Sequence, residues 1–213
     1  MSTNLFQAFL ETIAMVLASS LAAVILGLPL GVAIFATKPK QFWENKLIHF
    51  SLSFLVNIGR SIPFIILMIA IIPLTRLITG TSIGMVAAMV PLSLAATPFF
   101  ARIVELALLE VPYGLIETGY ALGATPLQII SKILIPESLA SILAGLTLTI
   151  INLIGYSAMA GAIGGGGLGT LAYNYGYLRF DTPLMLSTLV ILIILVQIIQ
   201  GIGDYAVNKI FRR

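Results

Sequence analysis

Side chains that could take part in chemistry are scarce in this sequence and fall into two groups. The 213 residues include no cysteine and a single histidine, His49, so neither a thiolate nucleophile nor a multi-histidine metal site is available. One group surrounds Glu117, between positions 111 and 136. The other consists of Asn152, Tyr156, Ser157 and Met159. The sequence has no G-x4-G-K-[ST] segment, so it predicts no phosphate loop for ATP.

The composition of the chain assigns both groups to a membrane protein. Hydrophobic residues make up 59% of the chain and charged residues 9%, whereas a soluble domain has about 25% charged residues. The mean hydropathy is +1.10. These values exclude a soluble enzyme, a disordered chain and a nucleic-acid binder. We expect an all-α membrane protein in contact with lipid, with no cofactor and no metal.

Charge-free stretches predict five transmembrane helices within a single domain of residues 1–213, because about 20 apolar residues cross a bilayer. The predicted spans are 12–36, 50–75, 82–104, 137–163 and 184–206. The second span includes Arg60, which either snorkels to the membrane surface or faces a path or a partner acid. A run of glycines, Gly164–Gly167, predicts a loop that continues to Pro183.

The distribution of lysine and arginine predicts the orientation in the membrane. Seven of these residues fall in one set of loops, and two, Arg76 and Arg179, fall in the other. Loops rich in positive charge face the cytoplasm, so we expect the N-terminus outside and the C-terminus inside. The apolar run near the N-terminus has no preceding basic region, which argues against a cleaved signal peptide. The seven residues are Lys38, Lys40, Lys46, Lys132, Lys209, Arg212 and Arg213.

The segment 111–135 is too polar to span the membrane and too long for a tight turn, so it forms a cytoplasmic loop in this topology. Pro112 suits the first residue of a helix, and Gly123 suits a helix C-terminus. Thr125 followed by Pro126 suits the start of another helix. We expect two short helices here, and the pattern alone allows them to be interfacial helices lying on the bilayer.

The second group of polar residues has the spacing of one helix face. Asn152, Tyr156 and Met159 recur at intervals of four and three residues, and Ser157 lies beside them. Two interpretations stay open: these residues line a substrate path, or they provide polar and close-packed contacts between helices. The flexible thioether of Met159 suits a closed apolar gate. We expect this gate near the twofold axis of a dimer of two such chains.

A further observation is a resemblance to a known family. Glu117, Gly123, Ile133, Ile135 and Pro136 have a spacing that resembles the EAA loop of type I binding-protein-dependent ABC importer permeases. Thr118 and Gly119 stand where the family has two alanines, and Ile135 replaces a leucine. Blocks between about positions 55 and 180 look like the methionine-importer branch of this family. These blocks are NIGRSIPFIIL, GTSIG, ATPFFARIVE, LLEVPYGLIE, GATPLQI and GYSAMAGAIGGGGLG.

The resemblance implies a fold, a function and partners. It implies the type I ABC importer permease fold, with the cytoplasmic loop as a coupling helix, and import of L- or D-methionine across a bacterial inner membrane by alternating access. The implied partners are a second permease in a homodimer, two cytoplasmic ABC ATPase subunits that hydrolyse ATP, and an extracytoplasmic methionine-binding lipoprotein. The permease itself is then not an enzyme. The implied coupling residues are Glu117, Gly119, Gly123, Ala124, Thr125, Pro126 and Pro136.

Three alternatives remain beside this reading. The first is a permease for another amino acid. The second is an ion-coupled secondary transporter, which tends to have ionisable residues at the membrane midplane; the middles of most predicted spans have none. The third is a membrane-embedded enzyme, which needs paired acids, a nucleophile with a base, or metal ligands within the spans.

Overall fold

The computed structural model describes residues 2–211, and this part of the chain consists of helices joined by short irregular segments, without a β-strand. Wider π-helical turns cover Ile130–Leu134 and Ala172–Tyr177. The helices in chain order are α1 (Ser2–Thr37), α2 (Lys46–Ser61), α3 (Phe64–Ala70), α4 (Ile72–Thr79), α5 (Met85–Leu109), α6 (Tyr113–Ala121), α7 (Pro126–Ile129), α8 (Ile135–Glu137), α9 (Leu139–Ala162), α10 (Gly167–Leu171) and α11 (Thr182–Phe211).

Four of these helices, α1, α5, α9 and α11, are long and apolar enough to cross a membrane. Each overlaps one predicted span, although α1 begins ten residues before the predicted start. The remaining predicted span, 50–75, is not a single helix, because α2 and α3 meet at an angle of 102°. Pro63 explains the break: it has no N–H to donate, and it drives Ile62 into an extended conformation with φ −82° and ψ 122°. If this bent pair counts as one span, the total is five.

Helices α1 and α5 pack closely at the centre of the structure. A Cβ atom on Gly31 would lie 2.5 Å from the carbonyl oxygen of Ala101, and one on Gly27 would lie 2.9 Å from that of Thr97. Small residues one turn apart let two backbones approach in this way, which is how helices associate in membranes. Helix α9 packs against both α1 and α5, and the three helices enclose buried side chains such as Leu153.

The loop predicted from about Gly164 to Pro183 is wrong over most of its length. Helix α10 and its π-helical continuation occupy Gly167–Tyr177, so only short segments on either side are irregular. Glycine permits irregular backbone but does not require it. The segment after the glycines contains no proline before Pro183, and the stacked rings of Tyr173 and Tyr177, with centroids 5.7 Å apart, support its helical conformation.

Candidate functional site

The joint between α6 and α7, residues 122–125, is built as the sequence predicts. Gly123 has φ +76°, a left-handed conformation that disfavours residues with a Cβ. No heavy atom lies within 4 Å of the position that such a Cβ would take. The glycine is therefore required by the backbone conformation and not by crowding within this chain.

Helix α7 begins with a capping box. The Thr125 side chain accepts a hydrogen bond from the backbone N–H of Gln128 at 3.4 Å, and the Gln128 side chain accepts one from the backbone N–H of Thr125 at 2.9 Å. Pro126 occupies the first turn, where its missing N–H costs nothing. This arrangement satisfies donors that the start of a helix leaves free and fixes the direction in which α7 leaves the joint.

Two of the predicted coupling residues hold α6 against the chain that follows it. Gly119 is buried, and a Cβ there would lie 3.0 Å from side-chain atoms of both Ile129 and Ile133. The backbone N–H of Ala124 donates to the carbonyl oxygen of Gly119 at 3.0 Å, which closes the end of α6 in the manner of a Schellman turn. Gly119 and Ala124 thus shape the loop from within.

The outer surface of the same loop combines a carboxylate with apolar side chains. Glu117 is exposed, and its carboxylate accepts no hydrogen bond from residues 5–210. Leu122 is 82% exposed, and Tyr113 and Leu127 are exposed as well. A surface that exposes several apolar side chains together with a carboxylate is typical of a site that contacts another protein.

The loop is joined to α9 by almost continuous helix. The turn of helix before Pro136 is π-helical, which accommodates a residue that cannot donate a backbone hydrogen bond. Ser138 interrupts the path only locally, since its N–H donates to Leu134 and its carbonyl accepts from Ile142, both at 2.9 Å. α7 therefore continues into α9 as one nearly unbroken helical rod.

A side-chain contact closes the base of the loop, and sequence reasoning missed it. The Ser141 hydroxyl at the start of α9 donates to Glu110 Oε2 at the end of α5, at 2.7 Å. Nearer the middle of α5, Arg102 Nη1 and Glu105 Oε2 form an ion pair at 2.7 Å. Glu110 and Ser141 are 31 positions apart, which conceals the first contact in the sequence.

The predicted face of α9 is only partly assembled as expected. Asn152 and Met159 are exposed, Met159 by 47%. Tyr156 is half-buried and stacks on Phe64 of α3, with ring centroids 4.7 Å apart and planes within 6°. Ser157 is buried, and its hydroxyl donates to the carbonyl oxygen of Ile154 at 2.8 Å. Ser157 therefore lies away from the face that Asn152 and Met159 share.

Sequence reasoning missed two residues of α1 that contact the segment following the C-terminal end of α9. Glu11 and Thr12 of α1 accept hydrogen bonds from the first backbone N–H groups of α10, at Gly167 and Leu168. An acidic residue inside an apolar stretch is itself a signal that it has a partner. The partner is 156 residues away in the chain, so nothing local to Glu11 identifies it.

No group of three or more His, Asp and Glu side chains that could hold a metal ion is found in the part of the chain described. Its apolar helices, long enough to span a membrane and joined by a helical loop with an exposed surface, are those of a multi-spanning membrane protein. This class agrees with three comparisons with known proteins.

The model of the family described as binding-protein-dependent transport system inner membrane component matches residues 23–212. The chain is 52% identical over 212 residues to a probable D-methionine transport system permease protein of Vibrio cholerae, with 100% of this chain and 94% of that protein covered. It is 46% identical over 204 residues to the protein of the same name from Pasteurella multocida, with 96% and 94% covered.

The fold is that of a crystal form of the MetNI methionine ABC transporter in an inward-facing conformation. The TM-score is 0.97 at 49% identity, and the match covers 99% of this chain and 97% of the other. The chain belongs to the family of binding-protein-dependent transport system inner membrane components. It is an ABC importer permease, a transporter rather than an enzyme.

Proposed function

We propose that this chain is the membrane-spanning subunit of an ATP-driven importer for methionine, as the L-enantiomer, the D-enantiomer or both. The observation that carries the proposal is the exposed surface of the loop between α5 and α9, which presents the carboxylate of Glu117 and the side chains of Tyr113, Leu122 and Leu127. The names of the relatives in Vibrio cholerae and Pasteurella multocida support methionine as the substrate.

ATP hydrolysis takes place in a separate cytoplasmic subunit that docks on this loop. The apolar side chains provide the contact area, and the Glu117 carboxylate accepts hydrogen bonds from the partner, which are stronger than neutral ones. Because α7 continues into α9, closure of two ATPase subunits moves α9 and switches the permease between inward-facing and outward-facing states. An extracytoplasmic lipoprotein delivers methionine from the other side.

The permease works as a homodimer with the substrate path on its twofold axis. The exposed face of α9 supports this arrangement, because Asn152, Gly155 and Met159 share it and no heavy atom of the chain lies within 4 Å of a Cβ built on Gly155. A glycine at an open position lets a second helix approach closely. Met159 forms an apolar gate on the axis.

Co-purification and uptake test the coupling role. Glu117→Lys and Gly123→Asp should leave the permease in the membrane, release the ATPase and abolish methionine uptake. Asp tolerates the left-handed conformation at position 123 better than most residues, so the second variant tests the docking surface more than the backbone. Lys209→Glu, an equally exposed charge reversal on α11, is the control. Normal assembly and uptake in either loop variant would reject the role.

Single cysteines test the gate and the orientation, since the native chain has none. Met159→Cys should form a crosslink between subunits without nucleotide and a weaker one in an ATP-trapped state. A membrane-impermeant thiol reagent applied to spheroplasts should label Asn174→Cys and spare Lys40→Cys. The opposite labelling pattern contradicts an external N-terminus, and the absence of any crosslink in an active Met159→Cys variant contradicts the gate.

A further inference from the structure

We propose that Glu11 and Thr12 of α1 form a latch that sets the position of Met159, so that α1, α10 and the adjoining end of α9 move as one body. The alternative is that the gate opens by flexing of the glycine run between α9 and α10. This inference rests on the proposed function, in which Met159 gates the substrate path. Glu11 and Thr12 are positioning residues, because they act on the gate through α10.

The first observation is a pair of hydrogen bonds at the start of α10. The backbone N–H of Gly167 donates to Glu11 Oε2 at 2.8 Å, and that of Leu168 donates to Thr12 Oγ1 at 2.9 Å. The first N–H groups of a helix have no partner within it, and a cap normally comes from the residue just before the helix. Here both acceptors come from α1, so α1 serves as the cap of α10.

The second observation is the close fit between the glycines and these two side chains. Gly166 and Gly167 have φ +82° and +75°. A Cβ on Gly166 would lie 2.9 Å from Glu11 Oε2, and one on Gly167 would lie 2.6 Å from Thr12 Oγ1. A side chain at position 166 would displace the Glu11 carboxylate, and one at position 167 would displace the Thr12 hydroxyl, so the glycines serve contact as well as conformation.

The third observation is that α10 holds the end of α9 from behind. The Thr170 hydroxyl donates to the carbonyl oxygen of Gly161 at 2.8 Å. A Cβ on Gly169 would lie 2.5 Å from the carbonyl oxygen of Ala158, and one on Gly161 would overlap the backbone nitrogen of Thr170. The two backbones are therefore in direct contact, one residue away from Met159 along α9.

The glycine run is also tied on its other side. The backbone N–H of Gly84, which precedes α5, donates to the carbonyl oxygen of Gly164 at 2.8 Å. The run is thus bonded to the start of α5, to α1 and, through α10, to α9. A segment with this many fixed contacts is a poor hinge, and the position of Met159 depends on the contacts that Glu11 and Thr12 make.

Variants of the latch in the complete reconstituted transporter test the inference. Thr12→Val and Glu11→Leu remove the acceptors and should lower the maximal rate of methionine uptake. Glu11→Leu should lower it at least about tenfold, the effect on an equilibrium of losing a hydrogen bond to a charged group, and Thr12→Val about two- to tenfold, because its hydroxyl is neutral. Glu11→Gln keeps a carbonyl acceptor for Gly167 and should restore most of the rate. The half-saturating methionine concentration should change little, because the latch does not contact the substrate.

Thr149→Val is the matched control for Thr12→Val. Thr149 is also a fully buried threonine whose hydroxyl donates within its own helix, to Gly145 at 2.8 Å, but it accepts nothing from another element in the described structure. The control should transport normally. If the Thr12 and Glu11 variants lose uptake only in proportion to the amount of permease in the membrane, their role is structural and the latch is rejected.

A crosslink tests whether α1 and α10 stay together during transport. Gln7 and Leu171 line the same cavity of about 230 Å³ between α1 and α10, so a bifunctional thiol reagent can join cysteines at these two positions. The joined protein should import methionine at the rate of the unjoined double variant, because the latch already holds α1 and α10 together. Normal import supports the latch, and a large loss of import on joining shows that α10 must leave α1 and overturns it.

The parental protein separates failure of the latch from failure of the proposed function. With the native Met159 it should import methionine. Its Met159→Cys derivative should crosslink between subunits, and the latch variants should lower the yield of that crosslink. Absence of uptake by the native protein, or of any crosslink through Met159→Cys, contradicts the proposed function and the latch with it. A normal parental protein whose latch variants behave identically contradicts the latch alone.

Discussion

The rod that contains α9 ends in a glycine joint on either side, and the two joints use glycine for different reasons. At the α6–α7 joint, Gly123 has a left-handed backbone and open space around it. At the α9–α10 joint, residues 163–166, the glycines lie against other backbone and against Glu11. One joint is exposed and held mainly by local hydrogen bonds, and the other is packed and held by distant residues.

The difference shows how one helix can be accessible to a partner at one end and fixed at the other. An exposed joint with apolar side chains around it is free to contact another protein. A packed joint moves only with the elements it contacts. We infer that a displacement at the α6–α7 joint shifts α9 and, with it, Met159, because little flexible backbone lies between them.

The largest effect is expected from Gly161→Ala at the packed end of α9. The new Cβ would overlap the backbone nitrogen of Thr170, and backbone cannot yield as a side chain can. Overpacking of this kind costs about 1–3 kcal/mol, visible as a lower thermal unfolding midpoint in detergent. Gly201→Ala in α11, with no heavy atom within 4 Å, is the control and should be neutral or stabilising. Equal effects would show that the α9–α10 contact is not tight.

The next effect is expected at the exposed joint and should depend on which side chain is introduced. Gly123→Ala forces a Cβ onto a left-handed backbone at a cost of about 1–2 kcal/mol. Gly123→Asn should cost less, because asparagine adopts this conformation more readily. Thermal unfolding of the two variants measures the difference. If asparagine is the worse residue, crowding and not conformation governs position 123.

A smaller effect is expected from loss of the capping box. Thr125→Ala removes the acceptor for the Gln128 N–H and should cost about 1 kcal/mol, seen as faster amide hydrogen exchange over residues 127–129. The control is Thr118→Ala, because the Thr118 hydroxyl donates only within α6, to Gly114 at 2.7 Å. Unchanged exchange in the Thr125 variant would mean that contacts with the rest of the chain fix α7 without the cap.

The smallest effect is expected at the base of the loop. Ser141→Ala removes the hydrogen bond to Glu110, and a contact open to solvent contributes about 0.5–1.5 kcal/mol. Stability should fall slightly, and methionine uptake should fall more than in the control Ser131→Ala, whose hydroxyl donates within its own turn of helix, to Leu127 at 2.8 Å. Equal uptake in both variants would show that the contact between Glu110 and Ser141 does not affect transport.

Local chemistry in the sequence determined the class of the protein and the construction of its loop. Composition excludes a soluble protein, and the length of each apolar stretch sets the number of long helices. Gly123, Thr125 and Pro126 act on their own backbone or on residues within three positions. Their structural effect could therefore be predicted without knowledge of the rest of the chain.

The tertiary structure decided the features that depend on distant partners. A helical periodicity places Ser157 near Tyr156 but does not say which side of α9 the other helices cover, and Ser157 proves to be buried. The glycine run predicts a loop, and α10 follows it because α1 supplies the acceptors that cap this helix. In each case the deciding contact joins residues far apart in the chain, and such contacts exist only once the helices have packed.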